Sequence, residues 1–249
     1  MSLLSVQREG AGPTFVWLHG FTQTRASAHQ FRSILAGANE LLTLDLPGHG
    51  SAHEVEATLE ETADLIAQAL PAEPVALGGY SFGARVAMHV AIRHPERINR
   101  LVLISATRGI KDQGERAERR ARDEALAQRI LEIGAPAFLD EWLAQPMFAA
   151  LPVDPLERAA RSSHAKGLAN SLRLSGTGTQ AWLQPALATI DSPTLVLAGA
   201  NDSKFSAEAT AIQRGVPGAI VRLINGAGHA AHLEQPGSTA AVIAEFLAR

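Results

Sequence analysis

Val75-Ala76-Leu77-Gly78-Gly79-Tyr80-Ser81-Phe82-Gly83-Ala84-Arg85 is the stretch around which the chain is organised. A short apolar run ends in Gly78-Gly79, a serine stands between Tyr80 and Phe82, and a helix-like segment begins. Gly79-Tyr80-Ser81-Phe82-Gly83 fits G-x-S-x-G, a strained strand-to-helix turn that holds a serine oxygen out at the top of a sheet. The turn brings the residues on either side of the serine together, so a side chain at 79 or 83 would collide with neighbouring backbone. The pattern is short, and its meaning depends on the rest of the chain.

Working outward, residues 13–18 form an apolar run that ends in His19-Gly20-Phe21, and residues 41–45 form a second run closed by Pro47-Gly48-His49-Gly50-Ser51. Both read as buried strands followed by turns. Residues 26–35 are helix-like, and residues 59–70 place Leu59, Ala63, Ile66, Ala67 and Leu70 at helical intervals. Thr58 with Glu61 predicts a capping box. Residues 74–78 lead into the serine turn, residues 81–94 form the helix that Pro95 stops, and residues 100–105 form another strand. This alternation predicts an α/β fold, a mostly parallel sheet with helices on both faces. From residue 109 to residue 187 no strand is legible. The strand rhythm resumes at 193–198 and 219–224, and a closing helix spans 236–247. The expected organisation is a core of residues 1–108 and 188–249 with a helical lid, residues 109–187, over the carboxyl ends of the strands, where such sheets bind ligands.

Composition narrows the function classes. With 249 residues the chain suits one domain with an insertion. A net charge of -3 gives no nucleic-acid or membrane signature. There are no cysteines, hence no disulfide framework and no thiolate metal site. Residues 1–8 lack a charged segment followed by a long apolar core, and no apolar run approaches the ~18 residues of a membrane span. A cytoplasmic protein is the expectation; the sequence does not indicate an oligomeric state.

A serine hydroxyl needs an imidazole to take its proton, and the imidazole needs a carboxylate to orient it. After such a turn the expected order is Ser, Asp or Glu, His. Asp202 follows the strand ending near Ala198, and His229 follows the one ending near Ile224. Ser81, Asp202 and His229 therefore share the carboxyl end of the sheet as the candidate triad. His232 is the rival base, but Gly226-Ala227-Gly228 presents His229 on a flexible loop, whereas His232 belongs to the next helix start. The two histidines have no third partner at metal-site spacing, so no metal is expected. Asp191 lies at the wrong end of its strand. His19 reads as a structural residue of its loop, and His49, His89, His94 and His164 read as structural or solvated. Backbone N–H groups of Phe21 and Phe82 are the expected oxyanion donors, with their rings as apolar walls.

Arg85 lies one turn after Ser81 on the same helix face. A charge there either pairs with a nearby carboxylate or meets a ligand. The insertion adds Arg116, Arg119, Arg120, Arg122, Arg161 and Arg173. Most belong to a solvated face with i,i+4 pairs. If two or more turn inward, the ligand is a small polyanion, a carboxylate by preference, which arginine grips with two hydrogen bonds.

The serine turn, the His19-Gly20 loop, 45–51, Asp202 and His229 together resemble the α/β-hydrolase superfamily over essentially the whole chain. Gly79-Tyr80-Ser81-Phe82-Gly83-Ala84-Arg85, the run Glu141-Trp142-Leu143-Ala144-Gln145-Pro146-Met147-Phe148, residues 172–180 and Asp202-Ser203-Lys204-Phe205 are similar to the 2-succinyl-6-hydroxy-2,4-cyclohexadiene-1-carboxylate (SHCHC) synthases of menaquinone biosynthesis. Ala84 stands where that family usually has Gly, and Phe82 where it often has Met; both changes leave the backbone donor intact. The resemblance implies a lyase rather than a hydrolase: a triad acting as base on a ring proton, pyruvate as leaving group, and no cofactor or metal. It implies substrate contacts at Tyr80, Arg85, Arg119, Trp142 and Arg161. The alternatives are a serine hydrolase of small acidic esters or carbon–carbon bonds, and a receptor that binds without turnover.

Overall fold

Seven strands and nine helices form from the described residues, 3–249, of the computed structural model. Met1 and Ser2, the start of the stretch read for a secretion signal, lie outside them. In chain order the elements are β1 (Val6–Glu9), β2 (Thr14–Leu18), α1 (His29–Ala36), β3 (Glu40–Leu44), α2 (Leu59–Ala69), β4 (Val75–Tyr80), α3 (Phe82–Arg93) and β5 (Ile98–Ile104). Then come α4 (Gln113–Leu143), α5 (Pro155–Ala159), α6 (Ala165–Ser175), β6 (Thr194–Gly199), α7 (Ser203–Gly215), β7 (Ile220–Ile224), α8 (Ala231–Glu234) and α9 (Pro236–Leu247). The sheet order is β1-β3-β2-β4-β5-β6-β7, with β1 antiparallel to β3 and every other pair parallel.

The central strands β4 and β6 are buried at every position because helices cover both faces. One apolar layer joins the sheet to α2, α3 and α7 through Leu59, Ile66, Val86, Val90 and Ile212. The other joins it to α1, α8 and α9 through Phe31, Leu35, Ile243 and Phe246. The capping box at α2 is present: Thr58 accepts from the Glu61 N–H, and the Glu61 side chain accepts from the Thr58 N–H.

Between β5 and β6 the described chain is helical. Its small apolar core packs α4 on α6 through Ala127, Ile130, Phe138, Leu168 and Leu172. The first helix of this insertion, α4, is not continuous. Gly134 breaks it with φ 78°, Pro136 follows, and the helix resumes as far as Leu143. Gly48 and Gly167 seat α6 on the core backbone to backbone. A Cβ on Gly48 would lie 2.5 Å from the Gly167 carbonyl oxygen, and one on Gly167 would lie 2.5 Å from the Gly48 oxygen. Likewise, a Cβ on Gly178 would lie 2.4 Å from the Arg120 nitrogen.

Candidate active site

The sharp turn after β4 is set by its glycines. A Cβ on Gly79 would meet the Gly83 carbonyl carbon at 2.4 Å, and one on Gly83 would meet the Leu18 oxygen at 2.2 Å. Ser81 takes φ 50° and ψ -103°, a strained conformation for a side-chain-bearing residue, fixed by its N–H donating to the Ile104 oxygen at 2.8 Å. Its Oγ lies 3.3 Å from His229 Nε2, and His229 Nδ1 lies 3.1 Å from Asp202 Oδ2. With Nδ1–H donating to the Asp202 carboxylate, Nε2 presents a lone pair to the serine hydroxyl.

Each partner is held by its own scaffold. Asp202 caps α7: its Oδ1 accepts from the Phe205 N–H at 3.1 Å, which leaves Oδ2 for His229. Burial alone would raise the Asp202 carboxyl; hydrogen bonds from His229 and Phe205, with the charges of His229 and Lys204, outweigh it and hold the group below the usual carboxylate range. The histidine loop is gripped by Glu234, which accepts from the N–H groups of Gly228 at 2.6 Å and Ala230 at 2.9 Å. The Ser105 hydroxyl donates to the His229 carbonyl at 2.7 Å. Ser105 and Glu234 carry no motif, and sequence reasoning missed both.

The rival base is in another role. His232 is buried against Trp17, Phe31 and Tyr80, with the Tyr80 ring 4.2 Å away, and burial pulls its pKa down to about 3. His19 is structural, as its position suggests: its Nε2 accepts from the Leu46 N–H at 3.0 Å and its Nδ1 donates to the Gly20 oxygen at 2.9 Å. His49, pulled to about 3 by burial, packs edge-on to Phe21 and near-parallel to Phe82. The N–H groups of Phe21 and Phe82 take no partner among the described residues. Gln23 braces the Phe21 loop by accepting from the Gly20 N–H at 2.8 Å.

Ser81 and His229 open into a cavity of about 440 Å³. Phe21, Tyr80, Phe82 and Trp142 form apolar wall. Arg85, Arg119, Arg122 and Lys204 also line it, and no aspartate or glutamate does. Arg85 is buried without a carboxylate partner: its Nη1 donates to the Ser175 oxygen at 2.9 Å and to Gln180 Oε1 at 3.3 Å, and its guanidinium lies 5.3 Å from the Phe82 ring centre. Of the two readings open for this arginine, the salt bridge is not formed. Burial, reinforced by the charge of Arg119, lowers its pKa to about 9, still charged at neutral pH. Arg119 reaches the cavity while bonded to Asp123 at 2.8 Å, Arg120 turns to the Gly178 carbonyl, and Arg173 pairs with Glu124 outside the cavity.

Arg161 is not among the residues lining the Ser81 cavity, although its charge acts on Tyr80, which is. It lies in the wall of an adjoining cavity of about 600 Å³, with Phe31 and His232, and the two cavities share Phe148. There its guanidinium donates to Thr22 Oγ1 at 2.7 Å and sits 3.6 Å from Glu157. Glu157 in turn accepts from the Ala28 N–H at 2.6 Å. A buried guanidinium needs such partners, and these tie the insertion to the core. Among the described residues no group of three histidines or carboxylates could hold a metal ion.

A serine turn, a histidine and an aspartate at successive strand ends of a parallel sheet define a serine-centred α/β enzyme fold. The chain belongs to the Alpha/beta hydrolase family, whose model matches residues 15–242, and within it to the SHCHC synthases. A Yersinia enterocolitica SHCHC synthase is 32% identical over 98% of this chain and 90% of its own length, and a Serratia proteamaculans one is 32% identical over 97% and 95%. A Bacillus subtilis (strain 168) relative, to which the same synthase name is attached provisionally, is 35% identical over 95% and 91%. The structure of MenH from S. aureus is similar over 100% of this chain and 98% of its own, with TM-score 0.91 and 31% identity. A malate-bound esterase from Thermogutta terrifontis shares the fold alone, at TM-score 0.83 and 24% identity over 98% of this chain and 93% of its own.

Proposed function

We propose that the chain is a carbon–oxygen lyase. It releases pyruvate from 2-succinyl-5-enolpyruvyl-6-hydroxy-3-cyclohexene-1-carboxylate and leaves SHCHC, a step of menaquinone biosynthesis. The observation that carries this reading is a cavity beside Ser81 and His229 lined by four cations and no carboxylate. Such a lining favours a polyanion and disfavours a neutral ester.

The chemistry asks for one base and one oxyanion site. The ring carbon bearing the succinyl group carries a proton that is acidic because it is α to a ketone and allylic. Ser81 Oγ, polarised by His229, takes that proton and passes it to Nε2. The electron pair forms a ring double bond, the existing double bond shifts, and the carbon–oxygen bond to the enolpyruvyl group breaks. The enolate leaving group regains a proton and becomes pyruvate. Atoms balance and no redox change occurs, so the step calls for no cofactor. Negative charge gathers on the succinyl ketone oxygen, which the Phe21 and Phe82 N–H groups stabilise. Tyr80 and Trp142 give the ring apolar surface, and Arg85 and Arg119 hold carboxylates. The helices between β5 and β6 act as the lid that excludes water.

Pyruvate release from the enolpyruvyl substrate, coupled to NADH oxidation by lactate dehydrogenase, tests this; a rate no higher than the uncatalysed one rejects it. The hydrolase alternative differs by a covalent acyl-Ser81 intermediate, detectable as a mass increase of the intact protein in the presence of an acidic ester.

A further inference from the structure

Four cations line the Ser81 cavity, and their pairing divides them. Arg119 is bonded to Asp123 at 2.8 Å, and Arg122 stands 3.8 Å from Glu118. Arg85 and Lys204 have no carboxylate partner in an ion pair among the described residues. Arg85 sits at the closed end, one turn beyond Ser81 on α3. Lys204 sits at the mouth, two residues beyond Asp202 at the start of α7. It also lines a broad outer groove that shares Thr107, Arg119, Arg122, Thr177 and Phe205 with the inner cavity. Its ammonium lies 5.4 Å from the Phe205 ring centre, and that ring packs 4.4 Å from the His229 ring. Asp202 is close enough to feel the lysine charge, but its two oxygens are committed to Phe205 and His229. The neutralising charge for Lys204 has to come from a ligand or from solvent ions.

We propose that Lys204 is a positioning and specificity residue that binds the carboxylate of the departing enolpyruvyl group. This rests on the lyase reading above. The two unneutralised cations come from different elements, the buried Arg85 from α3 just after Ser81 and the exposed Lys204 from the start of α7 just after Asp202, and so offer an anion with several carboxylates two separate partners in one cavity. The ring keeps its carboxylates after the reaction, whereas the three-carbon acid must reach solvent. The end of the substrate that leaves therefore belongs at the mouth, where Lys204 stands. A flexible ammonium at the mouth holds that carboxylate during the elimination and then releases it into the outer groove, whereas the buried Arg85 holds the part that stays.

The test uses two small acids as separate probes of the intact enzyme, pyruvate for the mouth and succinate for the closed end, with binding followed by fluorescence of the cavity residue Trp142. Lys204→Gln is expected to weaken pyruvate binding about tenfold and raise KM by a similar factor, with succinate affinity within about twofold. Lys204→Arg is expected to recover most of the pyruvate affinity. Equal weakening of both acids would overturn the proposal, because Lys204 would then supply only a long-range field. Unchanged pyruvate binding in Lys204→Gln, or no pyruvate binding by the parent protein, would overturn it as well. Because binding is read without turnover, these results stand apart from the coupled pyruvate assay, whose failure would remove the lyase reading itself.

Discussion

The two walls of the Ser81 cavity are built by different means. On the core side every reactive group is fixed by backbone or by a buried side chain: Ser81 by Ile104, Asp202 by Phe205, and the His229 loop by Glu234 and Ser105. On the insertion side the lining arginines are held by ion pairs between side chains of one helix, Arg119–Asp123 and Arg122–Glu118. The difference separates two tasks. Proton transfer tolerates little misplacement and sits on the sheet. Charge recognition tolerates adjustment and sits on helices whose side chains can re-pair.

The comparison can be broken where the effect is largest. His229→Ala removes the base from the rigid wall, and pyruvate release is expected to fall by roughly 10³-fold or more. Ser81→Ala should fall comparably while its melting temperature changes little, because alanine keeps the Cβ and hence the strain of φ 50°, and only the hydroxyl's contact with His229 is lost. A loss of activity below about tenfold in either variant would show that the rigid wall does not carry the chemistry.

Arg85→Ala comes next, with a loss of roughly 10²-fold in kcat/KM. Most of it should appear in KM, since the arginine holds a carboxylate in ground and transition states alike. Steady-state kinetics decide this: an equal fall in kcat and kcat/KM would place Arg85 with the reactive groups instead.

The pH dependence of stability sharpens the contrast further. His49 and His232 are lowered to about 3 by burial, from an ordinary 6.5. As pH falls below 6.5 the unfolded chain takes up these protons and the folded chain does not, so stability decreases down to about 3. Each histidine contributes a slope of about 1.4 kcal/mol per pH unit in that window. His232→Gln should flatten the curve by one such slope in urea unfolding at several pH values; an unchanged slope would contradict its burial as a neutral imidazole. Asp202, held low, contributes stability above its unfolded value and loses it as pH falls through its lowered folded value.

Smallest is the exposed pair of the insertion. Arg173→Ala should move the melting temperature by less than about 2 °C and leave kcat unchanged. A larger shift would mean that the insertion's ion pairs are structural rather than adjustable.

Much of the core was legible because its signals are local. The strand runs end in turn formers, Thr58 and Glu61 mark a helix start, and Ser81, Asp202 and His229 follow one another at strand ends. β1 was not legible. Val6-Gln7-Arg8-Glu9 has no apolar run and borrows its strand character from pairing with β3 at the sheet edge. The inward-facing arginines were not legible either, because Arg116, Arg119, Arg120 and Arg122 differ only in rotation about α4, which its packing on α6 decides. The setting of Arg161 was not legible either: its partners Thr22 and Glu157 lie 139 and 4 residues away, and only the fold brings all three to one place. Lys204 appears in the sequence only within the run Asp202-Ser203-Lys204-Phe205, which assigns it no role; what singles it out in the structure is the lack of an ion-pair partner among the described residues.

The contact between Gly48 and Gly167 limits how the insertion can move. Where two main chains touch with no side chain between them, no rotamer change can widen the gap. Helix α6 is thus an extension of the core, and α4 is joined to the same unit where Gly178 meets Arg120. The stretch from Gly134 to Arg161 reaches the core instead through side-chain hydrogen bonds, with Glu157 accepting from the Ala28 N–H and Arg161 donating to Thr22. One flank of the insertion is therefore seated main chain on main chain and the other through side chains, and a single added methyl at residue 167 would disturb the first without touching any residue that lines the Ser81 cavity.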